Sequence, residues 1–160
     1  NIPQYSTIDL KPATLERITE RVPNVIGIKF SKGDMMTTLE YKKLKNGQFS
    51  VLQGQDLLLT LAMSLGCDGV VSGYSTAFPE LLVGAYREYC NGNLEAAMEL
   101  QNKAIEGSKL FKKEVSSPAR LKAALKVRGI DVGHMRRPFL DMSEDIYKKF
   151  ESEYKKYIVE

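Results

Sequence analysis

Short apolar runs alternate with helical patterns along the first part of the chain. Residues 25–29, 49–52 and 69–73 are apolar runs bounded by polar or glycine residues, which predicts three buried strands. Apolar residues at helical spacing predict helices over 12–22, 35–44 and 57–65 and from residue 79 onward, whereas residues 1–7 predict an extended segment leading into a loop. Because each strand is followed by a helix, the pattern predicts a parallel α/β fold, either a doubly wound sheet or a barrel.

The pattern changes to helices alone after residue 92. Asn93 begins one helical pattern, Ser117-Pro118 begins a second, and Ser143 begins an amphipathic last one. The chain is therefore predicted to divide into an α/β part over residues 1–92 and a helical part over residues 93–160.

Each predicted strand ends in polar or small residues, which are the candidates for chemistry. Lys29 closes the first strand, Gln55 and Asp56 follow the second, and Ser72 and Gly73 end the third. In parallel α/β folds, binding sites lie at the carboxyl ends of the strands. These clusters therefore mark that end of the sheet as the candidate site.

Lys29 is the most informative of these residues, because a lysine at the end of a buried strand is costly. Its ammonium group must reach water, pair with an anion or lose its proton. In the last case, desolvation produces a nucleophilic amine that attacks carbonyl carbons. The alternative is a lysine that simply ends a strand and points into solvent.

Composition and charge narrow the function classes. The 160 residues are 43% hydrophobic and 27% charged with a formal net charge of +3, which is typical of a globular domain and requires no nucleic-acid partner. The sequence shows neither a signal peptide nor an apolar stretch of about 18 residues, so no membrane association and a cytoplasmic location are predicted. With one histidine and two cysteines, Cys67 and Cys90, in unlike contexts, we expect neither a metal site nor a disulfide.

A series of short motifs carries a family resemblance. In chain order they are Asn1-Ile2-Pro3, Gly27-Ile28-Lys29, Gly54-Gln55-Asp56, Gly66-Cys67-Asp68-Gly69-Val70-Val71-Ser72, Pro79-Glu80, Gly92-Asn93 and Arg137-Pro138. In this order and at this spacing, they resemble the C-terminal portion of the dihydrodipicolinate synthase/N-acetylneuraminate lyase family. The resemblance implies the C-terminal half of a TIM (β/α)8 barrel over residues 1–92, a C-terminal helical extension over residues 93–160, and a homo-oligomer, commonly a tetramer.

The resemblance also implies the chemistry of the site. The lysine of the family's Gly-x-Lys motif, which matches Lys29, forms a Schiff base with an α-keto acid and requires no other cofactor. The implied substrate-binding residues are Gly54, Gln55, Asp56, Val71, Ser72, Gly73 and Tyr5. Gln55 and Ser72 have an alternative role as turn-forming residues, and Asp56 has one as the cap of a helix beginning at Leu57.

Two parts of the family's active site have no counterpart here. The proton-transferring tyrosine immediately precedes the Asn-x-Pro motif, which begins this chain at Asn1, and the Gly-Thr-Thr motif lies on earlier strands. Since a whole barrel takes about 250 residues, we expect the N-terminal half to be absent from this chain and to act as its partner.

The residues around the motifs favour one substrate. Tyr5 stands where dihydrodipicolinate synthases carry an arginine, and Leu57 stands where sialic acid lyases carry a glutamate. Residues 34–44 and 55–58 look more like archaeal 2-keto-3-deoxygluconate aldolases, which predicts cleavage of a 2-keto-3-deoxy sugar acid to pyruvate and an aldehyde. The alternatives are dihydrodipicolinate synthase, N-acetylneuraminate lyase, a sugar acid dehydratase, or an inactive barrel fragment.

Overall fold

The computed structural model describes residues 1–112, 115 and 117–158. The chain forms two compact units, Asn1–Ser72 and Gly73–Glu160. This division does not test the predicted boundary between barrel and extension at residue 92, which stays a prediction.

The first unit is a parallel sheet with helices on one face. Its helices are α1 (Pro3–Ser6), α2 (Pro12–Arg21), α3 (Met35–Lys42) and α4 (Leu59–Ser64), with 3-10 turns at Leu44–Gly47 and Asp56–Leu58. Its strands are β1 (Gly27–Phe30), β2 (Ser50–Gln53) and β3 (Gly69–Val70), in the order β1-β2-β3, and both pairs are parallel. The predicted alternation of strands and helices is therefore confirmed.

Several element boundaries in this unit differ from the sequence prediction by one to three residues, and two of the differences affect segments that contain predicted site residues. The extended segment predicted at the start of the chain is wrong for Pro3–Ser6, which forms one helical turn because proline is preorganised for a first turn. The third strand ends at Val70 rather than at residue 73. The polar residues Ser72 and Gly73 thus lie beyond the strand.

Alternation along the strands separates the two faces of the sheet. Phe30 and Val51 are fully buried in one apolar cluster with Leu15 of α2, Tyr41 of α3 and Ala62 of α4. Successive residues of a strand point to opposite faces, so the neighbouring residues in each strand face away from these helices. The face that the helices do not cover is the one that carries the candidate lysine.

The second unit is built of helices around aromatic side chains. Its elements are α5 (Tyr74–Ala77), α6 (Pro79–Cys90), α7 (Leu94–Ser108), α8 (Ser117–Val127) and α9 (Glu144–Tyr154), with 3-10 turns at Lys109–Phe111 and Lys155–Tyr157. Phe78 and Phe111 meet edge to face with ring centroids 5.6 Å apart, and Phe111 meets Phe150 at the same distance. The predicted apolar stripe of the last helix is therefore core at Phe150 and Tyr154, which are both buried.

An arginine ties three segments of the second unit together. Arg128 makes a bidentate ion pair with Glu80 at 2.7 and 2.8 Å, and its Nε donates to the Ala77 carbonyl and the Tyr154 hydroxyl. This hydrogen bonding lowers the pKa of Glu80, while burial raises the pKa of Tyr154. Charge-assisted, bidentate bonds of this kind fix the geometry of the groups they join.

Candidate active site

Lys29 lies in β1 on the sheet face that the helices leave uncovered. It pairs in register with Leu52 of β2, which pairs in turn with Gly69 of β3. Its side chain is exposed within residues 1–72, whereas the next residue, Phe30, is fully buried on the opposite face. Residues 1–72 therefore present this amine at an open surface and do not enclose it.

The asparagine of the Asn-x-Pro motif extends the hydrogen-bonding pattern of the sheet. The main-chain nitrogen of Asn1 donates to the Lys29 carbonyl at 2.8 Å, and the Ser31 nitrogen donates to the Asn1 carbonyl at 2.9 Å. One residue bonded to two flanking residues in this way is the pattern of a parallel ladder. Asn1 thus occupies part of the β1 edge that β2 does not use.

The Asn1 side chain fixes the loop that follows it. Its Nδ2 donates to Asp9 at 3.0 Å and to the Tyr41 hydroxyl at 3.1 Å, and its Oδ1 accepts from the Leu10 nitrogen at 3.3 Å. The bonds from Asn1, then from Lys32 and Lys11, hold the pKa of the Asp9 carboxyl far below its usual range. In the sequence, Asn1 is recognisable only as part of a family motif, and nothing there indicates this positioning role.

Gln53, the last residue of β2, is fully buried and was not predicted as a site residue. Its Oε1 accepts from the main-chain nitrogens of Gly54 at 2.8 Å and Gln55 at 3.0 Å, and its Nε2 donates to Thr38 Oγ1 at 3.3 Å. A glutamine that closes a strand gives no signal in hydropathy beyond a polar boundary. Only the buried hydrogen bonds show what it does.

Gly54 is packed against the end of the neighbouring strand. Its nitrogen also donates to the Phe30 carbonyl at 2.7 Å, and a Cβ at this position would lie 2.3 Å from Ser31 Oγ and 2.8 Å from Ser31 Cα. The Gln55 side chain donates to the Ser31 carbonyl at 3.5 Å. The space therefore requires glycine at 54, and the segments after β1 and β2 are joined.

Asp56 and Ser72 are brought together beyond the ends of β2 and β3. The Ser72 hydroxyl donates to Asp56 Oδ2, and Asp56 is 8% exposed. Asp56 is the first residue of a 3-10 turn whose N-cap is Gln55, so it does not occupy the predicted cap position. Its carboxylate is held on the side of the third strand instead.

Three other predicted site residues are not members of the Asp56–Ser72 pair. Val71 is 41% exposed, and its nitrogen donates to the Gln53 carbonyl at 2.9 Å. Tyr5, on α1, is 81% exposed. Gly73 is the first residue of the second unit. Their predicted contacts with substrate stay predictions.

Other features of the described residues do not coincide with the candidate site. Across the described ranges, no group of three or more His, Cys, Asp or Glu side chains could hold a metal ion, and no helix is long and apolar enough to cross a bilayer. Both cysteines are free. A cleft of about 600 Å³ in the second unit, between α8, α9 and the segment joining them, contains none of the predicted site residues.

The comparisons with known proteins agree on one family. A family model described as the dihydrodipicolinate synthetase family matches residues 1–157. A DapA-like lyase of Thermoplasma acidophilum, described as uncharacterized, is 36% identical over 154 residues, which is 96% of this chain and 52% of that protein. Several other relatives are named 4-hydroxy-tetrahydrodipicolinate synthase, among them one from Bacillus subtilis.

Solved structures extend the agreement to the fold. Dihydrodipicolinate synthase DapA-2 from Bacillus anthracis matches with a TM-score of 0.88 and 26% identity, covering 100% of this chain and 54% of that chain. A 2-keto-3-deoxygluconate aldolase from Sulfolobus sulfataricus, in complex with D-KDPG, matches with a TM-score of 0.86, 22% identity, and 98% and 52% coverage. This chain spans about half the length of the relatives it matches. Its fold is the C-terminal part of a TIM barrel with a helical extension, and the chain belongs to the dihydrodipicolinate synthetase family.

Proposed function

We propose that this chain supplies the Schiff-base lysine and a substrate-binding loop of a class I lyase. The substrate is a 2-keto-3-deoxy sugar acid such as 2-keto-3-deoxygluconate, which is cleaved to pyruvate and an aldehyde. The observation that carries the proposal is the position of Lys29 on the uncovered sheet face, with Gln55, Asp56 and Ser72 beyond the carboxyl ends of the adjacent strands. In barrels of this architecture, these strand ends hold the reacting groups.

The proposed reaction uses the amine as a temporary electron sink. The Lys29 amine attacks the C2 carbonyl, and loss of water leaves an iminium. Removal of the C4 hydroxyl proton then breaks the C3–C4 bond, releases the aldehyde and moves the bonding electron pair into the iminium as an enamine. Protonation at C3 and hydrolysis by water release pyruvate and restore Lys29. No metal or other cofactor takes part in this scheme.

The hydrogen-bonded loop would bind the part of the substrate beyond C4. Asp56 accepts from Ser72, and a carboxylate has further lone pairs that accept from sugar hydroxyls. Gln55 lies next to it in the segment held by Gln53. Gly54, Val71, Gly73 and Tyr5 are proposed to complete this binding surface by main-chain or apolar contact.

The proposal requires a partner that encloses Lys29. A lysine nucleophile needs desolvation, and residues 1–72 leave Lys29 exposed. We infer that the N-terminal half of the barrel covers this face and supplies the proton-transferring tyrosine and the carboxylate-binding Gly-Thr-Thr motif. We also propose that the completed protein is a cytoplasmic homotetramer, on the family resemblance.

Two other candidates are each favoured by a specific observation. The name 4-hydroxy-tetrahydrodipicolinate synthase, carried by several relatives, favours condensation of pyruvate with an amino aldehyde at the same lysine. The exposure of Lys29 favours an inactive fragment when the chain is alone. N-acetylneuraminate cleavage and sugar acid dehydration would use the same iminium but have no separate support here.

The experiment that tests the substrate compares these reactions in the chain assembled with the N-terminal half of the barrel. Pyruvate release is measured from 2-keto-3-deoxygluconate and from N-acetylneuraminate, and pyruvate consumption is measured with aspartate semialdehyde. We expect the highest kcat/KM with 2-keto-3-deoxygluconate. A higher kcat/KM in the condensation reaction would overturn the substrate assignment and leave the role of Lys29 standing.

A further inference from the structure

Gln53 is a polar residue at a position of β2 whose side chain faces the helix-covered core. It pairs in register with Phe30 on one side and Val70 on the other, and it is fully buried. Burying an amide side chain is unfavourable unless its donors and acceptor are all used. A fully buried glutamine at this position is therefore tolerated only if its amide donors and acceptor form hydrogen bonds.

Those hydrogen bonds join the segment that leaves β2 to α3, where the amide nitrogen also donates to Met35 Sδ at 3.9 Å. Oε1 receives two main-chain N–H groups, from Gly54 at 2.8 Å and Gln55 at 3.0 Å. Because both donors face the oxygen, the amide nitrogen must point the other way, where Thr38 Oγ1 accepts from it at 3.3 Å. Thr38 is itself anchored, because its hydroxyl donates to the Asp34 carbonyl at 2.9 Å.

The main chain of Gln53 reaches the third strand as well. Its carbonyl accepts from the Val71 nitrogen at 2.9 Å, one residue before Ser72. Gln53 thus sits between the two segments that carry Gln55, Asp56 and Ser72. The length of the side chain matters, because asparagine is one methylene shorter and leucine has no acceptor for the two N–H groups.

We propose that Gln53 is a positioning residue that sets the specificity of the loop for the hydroxylated part of the substrate. The inference rests on the proposed function and deepens it. Gln53 acts through Gln55 and Asp56, so its loss weakens binding of the sugar-acid tail. Iminium formation at Lys29 with pyruvate, which has no such tail, is left intact.

The test uses Gln53→Leu in the chain assembled with the N-terminal half of the barrel. We expect borohydride trapping of pyruvate on Lys29 to stay within about twofold of the wild type, while KM for 2-keto-3-deoxygluconate rises about tenfold with little change in kcat. Thr38→Val removes the oxygen acceptor of the amide and leaves only the weak Met35 Sδ acceptor, so it should raise KM in the same direction, whereas Thr38→Ser keeps the hydroxyl and should restore it. Leu15→Ala, in the apolar core of the same unit, is the control for general loss of stability.

Two results would overturn the inference. One is a parallel fall of trapping and kcat/KM in Gln53→Leu that Leu15→Ala reproduces at equal loss of stability. The other comes from amide hydrogen exchange. In Gln53→Leu we expect Gln55, which loses its acceptor, to exchange at least about tenfold faster, whereas Gly54, which keeps its bond to the Phe30 carbonyl, and the β1 amides change little. Unchanged exchange at Gln55 contradicts the placement. Absence of a pyruvate adduct in the wild type contradicts the proposed function instead, and the exchange result then decides the role of Gln53 by itself.

Discussion

The two ends of the sheet in the first unit contain similar hydrogen bonds. We expect those at the amino end to stabilise the fold and those at the carboxyl end to position the candidate site. At the amino end of β2, Asp68 Oδ2 accepts from the Val51 nitrogen at 2.8 Å and from Lys42 Nζ at 3.2 Å. At the carboxyl end, Gln53 accepts two main-chain N–H groups in the same way. The carboxyl end also carries Lys29, whose side chain is exposed on the uncovered face of the sheet.

The difference indicates that stabilising residues and candidate reactive residues lie at opposite ends of the sheet in this chain. At the amino end, the Asp68 carboxylate and the Lys42 ammonium group bond to each other and to main-chain groups. These bonds connect β2, α3 and the turn before β3. At the carboxyl end, the hydrogen-bonded residues follow strands whose other sheet face is not covered by the helices of this unit. In TIM barrels generally, the amino-terminal face serves stability and the carboxyl-terminal face serves catalysis. Changes at the two ends should therefore have separable effects.

The largest effect is expected at Lys29. Lys29→Arg keeps the charge but removes the amine that forms an iminium, so the lyase rate of the assembled barrel should fall by at least about 10³-fold. Because the side chain is exposed in this chain, the free energy of unfolding of the chain alone should change by less than about 0.5 kcal/mol. Steady-state kinetics and urea unfolding measure the two quantities, with Lys43→Arg as the control. Retained lyase activity in Lys29→Arg would contradict the claim that the carboxyl end of the sheet carries the chemistry.

A stability effect at the carboxyl end is expected at Gly54. In Gly54→Ala the new Cβ meets Ser31 Oγ and Cα at 2.3 and 2.8 Å, so the segments must move apart at a cost of about 1–3 kcal/mol. Gly33→Ala is the matched control, because its Cβ would meet nothing closer than 3.9 Å. Equal unfolding midpoints for the two variants in urea would show that the close approach is absent in solution.

A smaller, pH-dependent effect is expected at the amino end. The bond from the Val51 nitrogen, then the bond from Lys42, lowers the pKa of Asp68. A carboxyl whose pKa is lowered on folding stabilises the protein fully above its unfolded value of about 4, and this stabilisation is lost as the pH falls through the folded pKa.

Asp68→Asn should therefore cost about 1 kcal/mol near neutral pH, since the side chain is 48% exposed and solvent screens the ion pair. The difference from the wild type should shrink as the pH falls below about 4. Urea unfolding across this range measures it, and Glu20→Gln on the exposed face of α2 is the control. Pyruvate trapping on Lys29 should be unaffected, and a loss of trapping would blur the separation between the two ends.

The smallest effect is expected at Lys45, also at the amino end. Its Nζ donates to the carbonyls of Pro23 at 3.1 Å and Val25 at 3.0 Å, which holds the turn that leads into β1. Lys45→Met keeps the apolar stem and should lower the free energy of unfolding by about 0.5–1 kcal/mol. Lys43→Met is the control in the same measurement, and a loss as large as that of Gly54→Ala would contradict this ranking.

The sequence predicted the part of the fold that depends on periodicity. The apolar runs located the three described strands, and their alternation with helices predicted that the strands are parallel. The sequence also placed Asp56 beyond the second strand, but it placed Ser72 inside a third strand that in fact ends at Val70, and it gave no indication that the two residues bond to each other. Their pairing depends on how β2 and β3 align, which is a tertiary property.

The residues that sequence reasoning missed are those whose role is set by distant partners. Gln53 gives no signal in the sequence, because hydropathy does not distinguish an exposed glutamine from a buried one that holds two main-chain amides. The sequence identifies Asn1 only as part of a motif. Its hydrogen bonds to Tyr41 and Asp9 show that its side chain fixes the following loop. The desolvation that a nucleophilic Lys29 needs cannot come from residues 1–72 alone, since a barrel interior needs strands from both halves.

The most direct test of the central claim is trapping of the iminium. The chain assembled with the N-terminal half of the barrel is treated with pyruvate and then borohydride, and the adduct is located by intact mass and peptide mapping. We predict one adduct per chain, on Lys29, and none when pyruvate or borohydride is omitted. An adduct on another lysine, or no adduct in an assembled and folded barrel, would contradict the assignment of Lys29 as the nucleophile.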